Sequence, residues 1–319
     1  MKGASGPPVA ERLEAAGVRI ERDVLVAELT TYSVGGPVAV LARVDSAAAL
    51  GALAAALAGE LPPLLVVGRG SNLLVADAGF DGLGVVLGGE FEDLDLAAGS
   101  GQVHAGAAVP LPVLARRTAA AARAGLEFYV GIPGSVGGAV RMNAGGHGRE
   151  TADVLVEAEV VDLAAGVAAH VERRPAAAFE FGYRHSALSP TEVVTGATFR
   201  VAPGRVEAAE AELADVVRWR REHQPGGSNA GSVFANPPGD SAGRLIDSLG
   251  LKGLRVGGAV VSPKHANFFQ AEAGATADDV RALVVEVRRR VFAATGVRLV
   301  PELRMVGFDD RDLDLGDDR

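Results

Sequence analysis

The chain predicts an α+β fold divided into two or three domains, and three observations lead there. Its 319 residues are enough for more than one buried core, and 48% hydrophobic against 22% charged residues is an ordinary globular balance. Short runs rich in β-branched residues alternate with helical stretches through the first part of the chain. From 154 to 201, strand-like runs follow one another with little helix between them, which suggests an antiparallel or mixed sheet. The expected division is two lobes at 1–62 and 63–203, a separate domain at 204–308 and an acidic tail at 309–319.

A short helical pattern covers 9–16, and a strand follows at 38–43. Ser46 stands where an N-cap belongs, ahead of an Ala/Leu-rich helix running to Ala58. The apolar run 64–67 reads as a buried strand that feeds a glycine turn. Strands are predicted at 84–87 and 102–106, then a helix over 110–124 with Pro early and Gly125 just past its end. The sheet-forming runs are 154–162, 167–172 and 192–201. Pro203-Gly204 breaks the chain before a charged amphipathic helix at 205–222, and 223–231 is a loop by composition. Beyond it come a helix at 241–249 and strands at 258–261 and 266–271. The last helix opens at Thr276, with Asp279 completing an acidic capping box, and stops before Gly296. A final strand carries 298–302.

Composition narrows the function. The net charge is −9, of which the six Asp and two Arg of 309–319 supply −4, leaving −5 for the body. Nucleic acid would require a basic face, so it is not an expected partner. The tail reads as a solvated, disordered end. With no cysteine, disulfides and thiolate chemistry are excluded. The N-terminal residues carry no apolar signal core and no stretch is long enough to span a membrane, so the protein is expected to be cytoplasmic. The six histidines show no metal-ligand spacing, and no metal site is expected.

Two glycine stretches stand out. One is Val67-Gly-Arg-Gly-Ser-Asn-Leu-Leu74 and the other Gly131-Ile-Pro-Gly-Ser-Val-Gly-Gly-Ala-Val-Arg-Met-Asn-Ala-Gly-Gly146. Glycine lets backbone approach a ligand closely, and runs of free N–H groups in such turns suit a phosphate. Either stretch alone reads equally well as a tight surface turn. Together, with Ser71, Asn72, Ser135 and Asn143 as side-chain donors, they favour a bound nucleotide-type cofactor. The first matches neither the Rossmann fingerprint nor a P-loop, so the cradle is of another kind.

Four further places could carry chemistry. In Phe181-Gly-Tyr-Arg-His-Ser186, Arg184 offers a planar fork to a carboxylate or phosphate, although a surface salt bridge is the simpler account of an isolated arginine. In Ala230-Gly-Ser-Val-Phe-Ala-Asn-Pro-Pro238, Ser232 lacks the surroundings of a nucleophile, leaving a proton or hydrogen-bond donor or an ordinary turn serine. Glu302 follows Pro301 in a strand-like run and is either a partly buried carboxylate or an edge residue facing water. His265 reads as a hydrogen-bonded structural residue.

In this order, GRGSN, IPGSVGG, FGYR, GSVFANP, the run from Ala242-Gly-Arg-Leu-Ile-Asp247 to Ser262-Pro-Lys-His-Ala-Asn267, and Pro-Glu302 resemble the motifs of the UDP-N-acetylenolpyruvoylglucosamine reductase family, from Thr31 to Glu302. The resemblance implies a two-lobed FAD-binding region of the vanillyl-alcohol-oxidase type with a C-terminal α+β substrate-binding domain. It implies noncovalent FAD on Gly68, Arg69, Gly70, Ser71, Asn72, Ile132, Pro133, Gly134, Ser135, Gly138 and Asn143, with NADPH as reductant. The substrate would be UDP-N-acetylglucosamine enolpyruvate, touched by Tyr183, Asn236 and His265, in a monomeric enzyme independent of membranes and nucleic acid. Hydride would reach the enolpyruvyl methylene carbon, Arg184 and Glu302 would stabilise the resulting enolate, and Ser232 would protonate it. About 45 residues separate Arg184 from GSVFANP, which matches the shorter, type II form. Ala235 stands where many relatives have lysine, with Lys252 or Lys264 as possible substitutes, and Arg141 is not accounted for by the resemblance. The rival readings are an FAD-dependent sugar or alcohol oxidase and a non-catalytic nucleotide-binding regulator. The first glycine loop has no histidine for the covalent FAD link that many such oxidases carry.

Overall fold

The computed structural model describes residues 8–99 and 101–308, so the acidic tail lies outside the described residues. The chain forms two compact units, both discontinuous in sequence. The first comprises Met1–Asp23, Val40–Arg69 and Gly82–Arg218, and the second Val24–Ala39, Gly70–Asp81 and Trp219–Arg319. This differs from the expected contiguous division at 62/63 and 203/204. The reason lies in side chains that reach distant backbone: the Asp77 carboxylate accepts from the N–H groups of Ala277 (3.0 Å) and Asp278 (2.9 Å), and Thr31 Oγ1 donates to the Asn229 carbonyl (2.7 Å). Two short early segments thereby become part of the later unit.

Among the described residues, six α-helices begin in the first unit: α1 (Val9–Ala15), α2 (Ala47–Ala56), α3 (Leu111–Ala120), α4 (Val136–Met142), α5 (Thr151–Val154) and α6 (Val206–His223). Ser46 caps α2 by accepting from the Ala49 N–H (3.1 Å), as its side chain type predicts. The strand-like runs, which suggested an antiparallel or mixed sheet, fall in an antiparallel one of five strands in the order Glu172–Pro175, Leu155–Asp162, Glu192–Arg200, Gln102–Gly106, Leu94–Gly99. One face of it buries Val103, Ala105, Ala158 and Phe199 with α3 and α4 in one core. A second core forms around Leu13, Leu53 and Val85. A four-stranded sheet runs in the order Arg19–Leu25, Pro37–Val44, Phe80–Leu87, Leu64–Val66, the last pair parallel.

The second unit adds α7 (Ala242–Ser248) and α8 (Ala277–Thr295), an antiparallel sheet of Arg255–Val256, Ala259–Val261 and Phe269–Ala271, and a core that includes Phe234, Ile246, Phe269 and Val284. The capping box at Thr276 and Asp279 is formed, and Gly296 ends α8 at φ 71°, a left-handed conformation that glycine adopts without a Cβ clash.

Several expectations need correction. The helix at 110–124 ends at Ala120, because Arg123 and Ala124 pair instead with Pro203 and Ala202. In the run 167–172, Val167 and Ala168 end a 3-10 stretch, Leu163–Ala168, kinked at Gly166; 169–171 are irregular, and the strand Glu172–Pro175 starts at the last residue of the run. The strand at 64–67 is not wholly buried: it lies at a sheet edge and Val66 is 40% exposed. Residues 298–302 form no strand: Pro301 makes an isolated bridge to Phe234, closed by backbone bonds of Val300 and Glu302, and the strand is Arg304–Val306, parallel to Leu73–Val75. The second glycine stretch is not simply a loop, since Val136–Met142 within it is helical.

Candidate active site

In the first unit the two glycine stretches meet at one hydroxyl. Ser135 is buried and is the N-cap of α4, but its side chain does not cap that helix. A Cβ at Gly68 would lie 2.5 Å from Ser135 Oγ, and one at Gly138 would lie 3.6 Å from it. Only a residue without a Cβ at 68 lets that oxygen come so close. Gly68, Arg69, Pro133 and Gly138 are exposed, and Ile132 and Gly134 are half-buried. The Gly134 carbonyl accepts from the Leu111 N–H (2.9 Å), which ties this turn to the start of α3. Asn143, the other side-chain donor of the second stretch, is held by bonds of its own. It is fully buried at φ 42°, its Nδ2 donates to the Gly182 carbonyl (3.0 Å), and its Oδ1 accepts from the Ala152 N–H (2.9 Å).

Arg184 occupies the tip of a tight turn. Gly182 and His185 exchange two backbone hydrogen bonds of 3.2 Å, which leaves Tyr183 and Arg184 between them. Arg184 sits at φ 52°, where a residue with a Cβ is strained by roughly 1–2 kcal/mol. Its guanidinium stacks over the exposed Tyr183 ring at 5.2 Å and its Nη2 donates to the Gly145 carbonyl (3.3 Å). Arg141 now has an account: its Nη1 donates to the carbonyls of Leu188 (3.1 Å) and Ser189 (2.6 Å).

The second unit holds the other half of the first glycine loop. Gly70 takes φ 58°, and a Cβ there would come within 2.1 Å of the Leu29 carbonyl oxygen and 2.6 Å of Thr30 Cα. Beside this close approach, Thr30 Oγ1 is buried with no hydrogen-bond partner among the described residues. Ser71 is half-buried. Asn72 donates from Nδ2 to the Glu302 carbonyl (3.1 Å), and its own carbonyl accepts from the Arg304 N–H (3.2 Å), so the loop braces the Glu302 segment.

Ser232 and Glu302 are brought together. The Glu302 N–H donates to the carbonyl of Val233 (2.8 Å), the residue after the serine, and Ala235 N–H donates to Val300 (2.9 Å). Ser232 itself bridges to Phe268. Asn267, quoted only as the end of a motif, is central here. Its Oδ1 accepts from Phe234 N–H (3.0 Å), its Nδ2 donates to the Phe234 carbonyl (2.8 Å), and its carbonyl accepts from Val233 N–H (2.8 Å). A lone asparagine in sequence gives no sign of such a role. His265 Nδ1 accepts from the Asn267 N–H (3.3 Å), so its ring proton belongs on Nε2. Burial holds that imidazole below its ordinary pKa, and Lys252 adds to the effect. Asn236 Oδ1 accepts from the Ala242 N–H at the start of α7 (3.1 Å). Of the lysines weighed against the alanine at 235, Lys252 pairs with Asp247 (2.7 Å) and Lys264 donates to the Arg221 carbonyl.

What each unit holds is compatible with a flavin dinucleotide: in the first, exposed glycine backbone at Gly68 and Gly138 beside Ser135 Oγ, and in the second, a buried Thr30 hydroxyl with no hydrogen-bond partner among the described residues. Among the described residues no group of three or more His, Asp or Glu is placed to hold a metal ion, and no helix is long and apolar enough to cross a membrane. Residues 37–172 match the FAD binding domain family, which defines a flavoprotein, and residues 222–306 match the family described as UDP-N-acetylenolpyruvoylglucosamine reductase, C-terminal domain. UDP-N-acetylenolpyruvoylglucosamine reductase of Methylorubrum extorquens is 44% identical over 91% of this chain and 93% of its own length. The protein of the same name from Synechococcus is 42% identical over 94% of this chain and 97% of its own. The crystal structure of the Thermus caldophilus enzyme (MurB) superposes with a TM-score of 0.78 at 40% identity, covering 91% of this chain and 99% of that one. The chain belongs to the UDP-N-acetylenolpyruvoylglucosamine reductase family.

Proposed function

We propose that this protein reduces UDP-N-acetylglucosamine enolpyruvate to UDP-N-acetylmuramate, a peptidoglycan precursor, using NADPH and noncovalently held FAD. The observation that carries the reading is near full-length identity of 40–44% to relatives that bear the reductase name. The same reading takes the protein to be cytoplasmic and monomeric, with no nucleic-acid or membrane partner. FAD, when bound, supplies the hydride that reaches the methylene carbon of the enol ether.

This chain's residues handle the charge and the proton. An enol ether conjugated to a carboxylate accepts hydride at its terminal carbon, and negative charge then grows toward the carboxylate. The Arg184 fork grips that carboxylate, and Glu302 stabilises the enolate by donating or sharing a proton. A donor placed where charge develops is worth roughly 10²–10³-fold in rate. Ser232 then gives its hydroxyl proton to the carbon beside the carboxylate; so weak an acid serves because the enolate is a strong, positioned base. Tyr183, Asn236 and His265 contact the substrate. Gly68, Arg69, Gly70, Ser71, Asn72, Ile132, Pro133, Gly134, Ser135, Gly138 and Asn143 hold the cofactor. The hydrogen bonds of Asn72 and Asn143 give these two a bracing role as well.

The test is anaerobic. NADPH should bleach the flavin absorbance and UDP-N-acetylglucosamine enolpyruvate should restore it, with UDP-N-acetylmuramate identified by mass. Restoration by oxygen but not by the enolpyruvyl substrate would point to an oxidase instead.

A further inference from the structure

We infer that Arg141 is a positioning residue for Arg184, fastening the strained turn that presents the substrate-gripping guanidinium to the end of α4. This rests on the proposed role of Arg184.

Arg184 at φ 52° holds a conformation that its own side chain disfavours, and such a residue persists only where its surroundings over-determine it. The turn's own two hydrogen bonds, between Gly182 and His185, close it but do not orient it. The Ala187 N–H ties the exit side to the Phe179 carbonyl (2.7 Å), and further orientation comes from the C-terminal end of α4 and the residue just after it. Asn143 Nδ2 holds the Gly182 carbonyl on the entry side (3.0 Å). On the exit side Ser186 Oγ donates to the Arg141 carbonyl (2.8 Å), and Arg141 Nη1 donates to the carbonyls of Leu188 and Ser189. The segment is therefore pinned before and after Arg184 by three hydrogen-bonding groups of residues 141–143. Arg141 supplies two of them, one through its backbone and one through its side chain. Guanidinium suits the task because it remains charged and directs several N–H groups to adjacent carbonyls.

Three variants of the FAD-loaded protein test this. Arg141→Met keeps the stem and loses the donors, Arg141→Lys keeps the charge and one donor group, and Ser186→Ala releases the other exit-side bond. Misplacement of a reacting group by about 1 Å costs on the order of 10²-fold, so Arg141→Met should lower kcat/KM for the enolpyruvyl substrate by roughly 10–100-fold. FAD content and the rate of flavin reduction by NADPH should stay within about 2-fold, the margin of an unaltered transition state. Arg141→Lys should recover part of the loss, and Ser186→Ala should show a smaller loss of the same kind. Without substrate, hydrogen exchange in residues 182–189 should quicken in Arg141→Met while the strand Glu192–Arg200 stays protected. Combined with Arg184→Ala, Arg141→Met should add nothing further. The inference is overturned if Arg141→Met leaves substrate kcat/KM unchanged, slows both half-reactions alike, or adds its full penalty to that of Arg184→Ala. A wild-type protein whose flavin NADPH reduces but the enolpyruvyl substrate does not reoxidise would instead overturn the proposed activity.

Discussion

Ser232, Glu302 and Arg184 differ in how much of their setting is structural. Ser232 and Glu302 are spaced by backbone bonds through Val233 and Asn267, whereas Arg184 is held in a strained turn of the other unit. If Ser232 acts only after hydride has reached the substrate, Ser232→Ala should leave flavin reduction by NADPH nearly intact. Turnover of the enolpyruvyl substrate should fall by roughly 10²–10⁴-fold. Stopped-flow measurement of the two half-reactions separates these, and equal slowing of both contradicts the proton-donor role. Arg184 and Glu302 are proposed to act on one developing charge, so their penalties should not add. Arg184→Lys keeps the charge but loses the fork and should remain damaging, while Glu302→Gln keeps a donor and should be milder than Glu302→Ala. A double-mutant cycle on turnover at saturating NADPH decides; summed free-energy penalties for Arg184→Ala and Glu302→Ala would sink the shared-charge account.

At the scale of elements, the N-terminus of α8 organises the second unit. Thr276 Oγ1 accepts from Asp279 N–H (3.1 Å), and the Asp279 carboxylate accepts from the N–H groups of Thr276 (3.1 Å) and Gly258 (2.9 Å). Those bonds, that to Gly258 first, hold the Asp279 carboxyl below its ordinary pKa. A depressed folded-state pKa contributes stability that is present above the unfolded value and is lost as pH falls through the folded one. Asp279→Asn should therefore lower Tm at neutral pH, and the gap to wild type should narrow as pH drops below about 3.9. Thermal unfolding at several pH values checks this; an equal gap at acid and neutral pH would mean the carboxylate charge is not what the site uses. Thr276→Ala should cost about 1 kcal/mol as a lost cap, with little pH dependence.

For the whole molecule, the FAD-binding segment and the C-terminal segment are separate families in sequence, yet Gly70, Ser71 and Asn72 of the first glycine loop belong to the second compact unit. The purified protein should be yellow, and heat or acid should release all of its FAD into solution, since the loop Arg69-Gly-Ser-Asn72 has no histidine to attach it. A filtration assay after denaturation measures this. Flavin retained on the unfolded chain would show a covalent link, and a colourless protein that takes up no added FAD would remove the flavoenzyme reading altogether.

Local chemistry was legible in the sequence. The Ser46 cap, the Thr276–Asp279 box, the stop at Gly296 and the strands expected at 154–162 and 192–201 depend on neighbours a few residues apart or on the alternation of one strand, and all are present. The order of the motifs was likewise enough to reach the family. Pairing between distant segments was decided only by the tertiary structure. The short strand Leu73–Val75 exists because Arg304–Val306 lies beside it, and α3 ends early because Arg123 and Ala124 are claimed by residues 202–203. Asn143 and Asn72 looked like ligand donors and are also braces, while Arg141 and Asn267 gave no signal at all, because a side chain's partners some 33 to 48 residues away, or 230 for Asn72, leave no trace in local pattern. Capping and periodicity are written in adjacent residues; which carbonyl a buried amide or guanidinium meets is set only when the chain closes on itself.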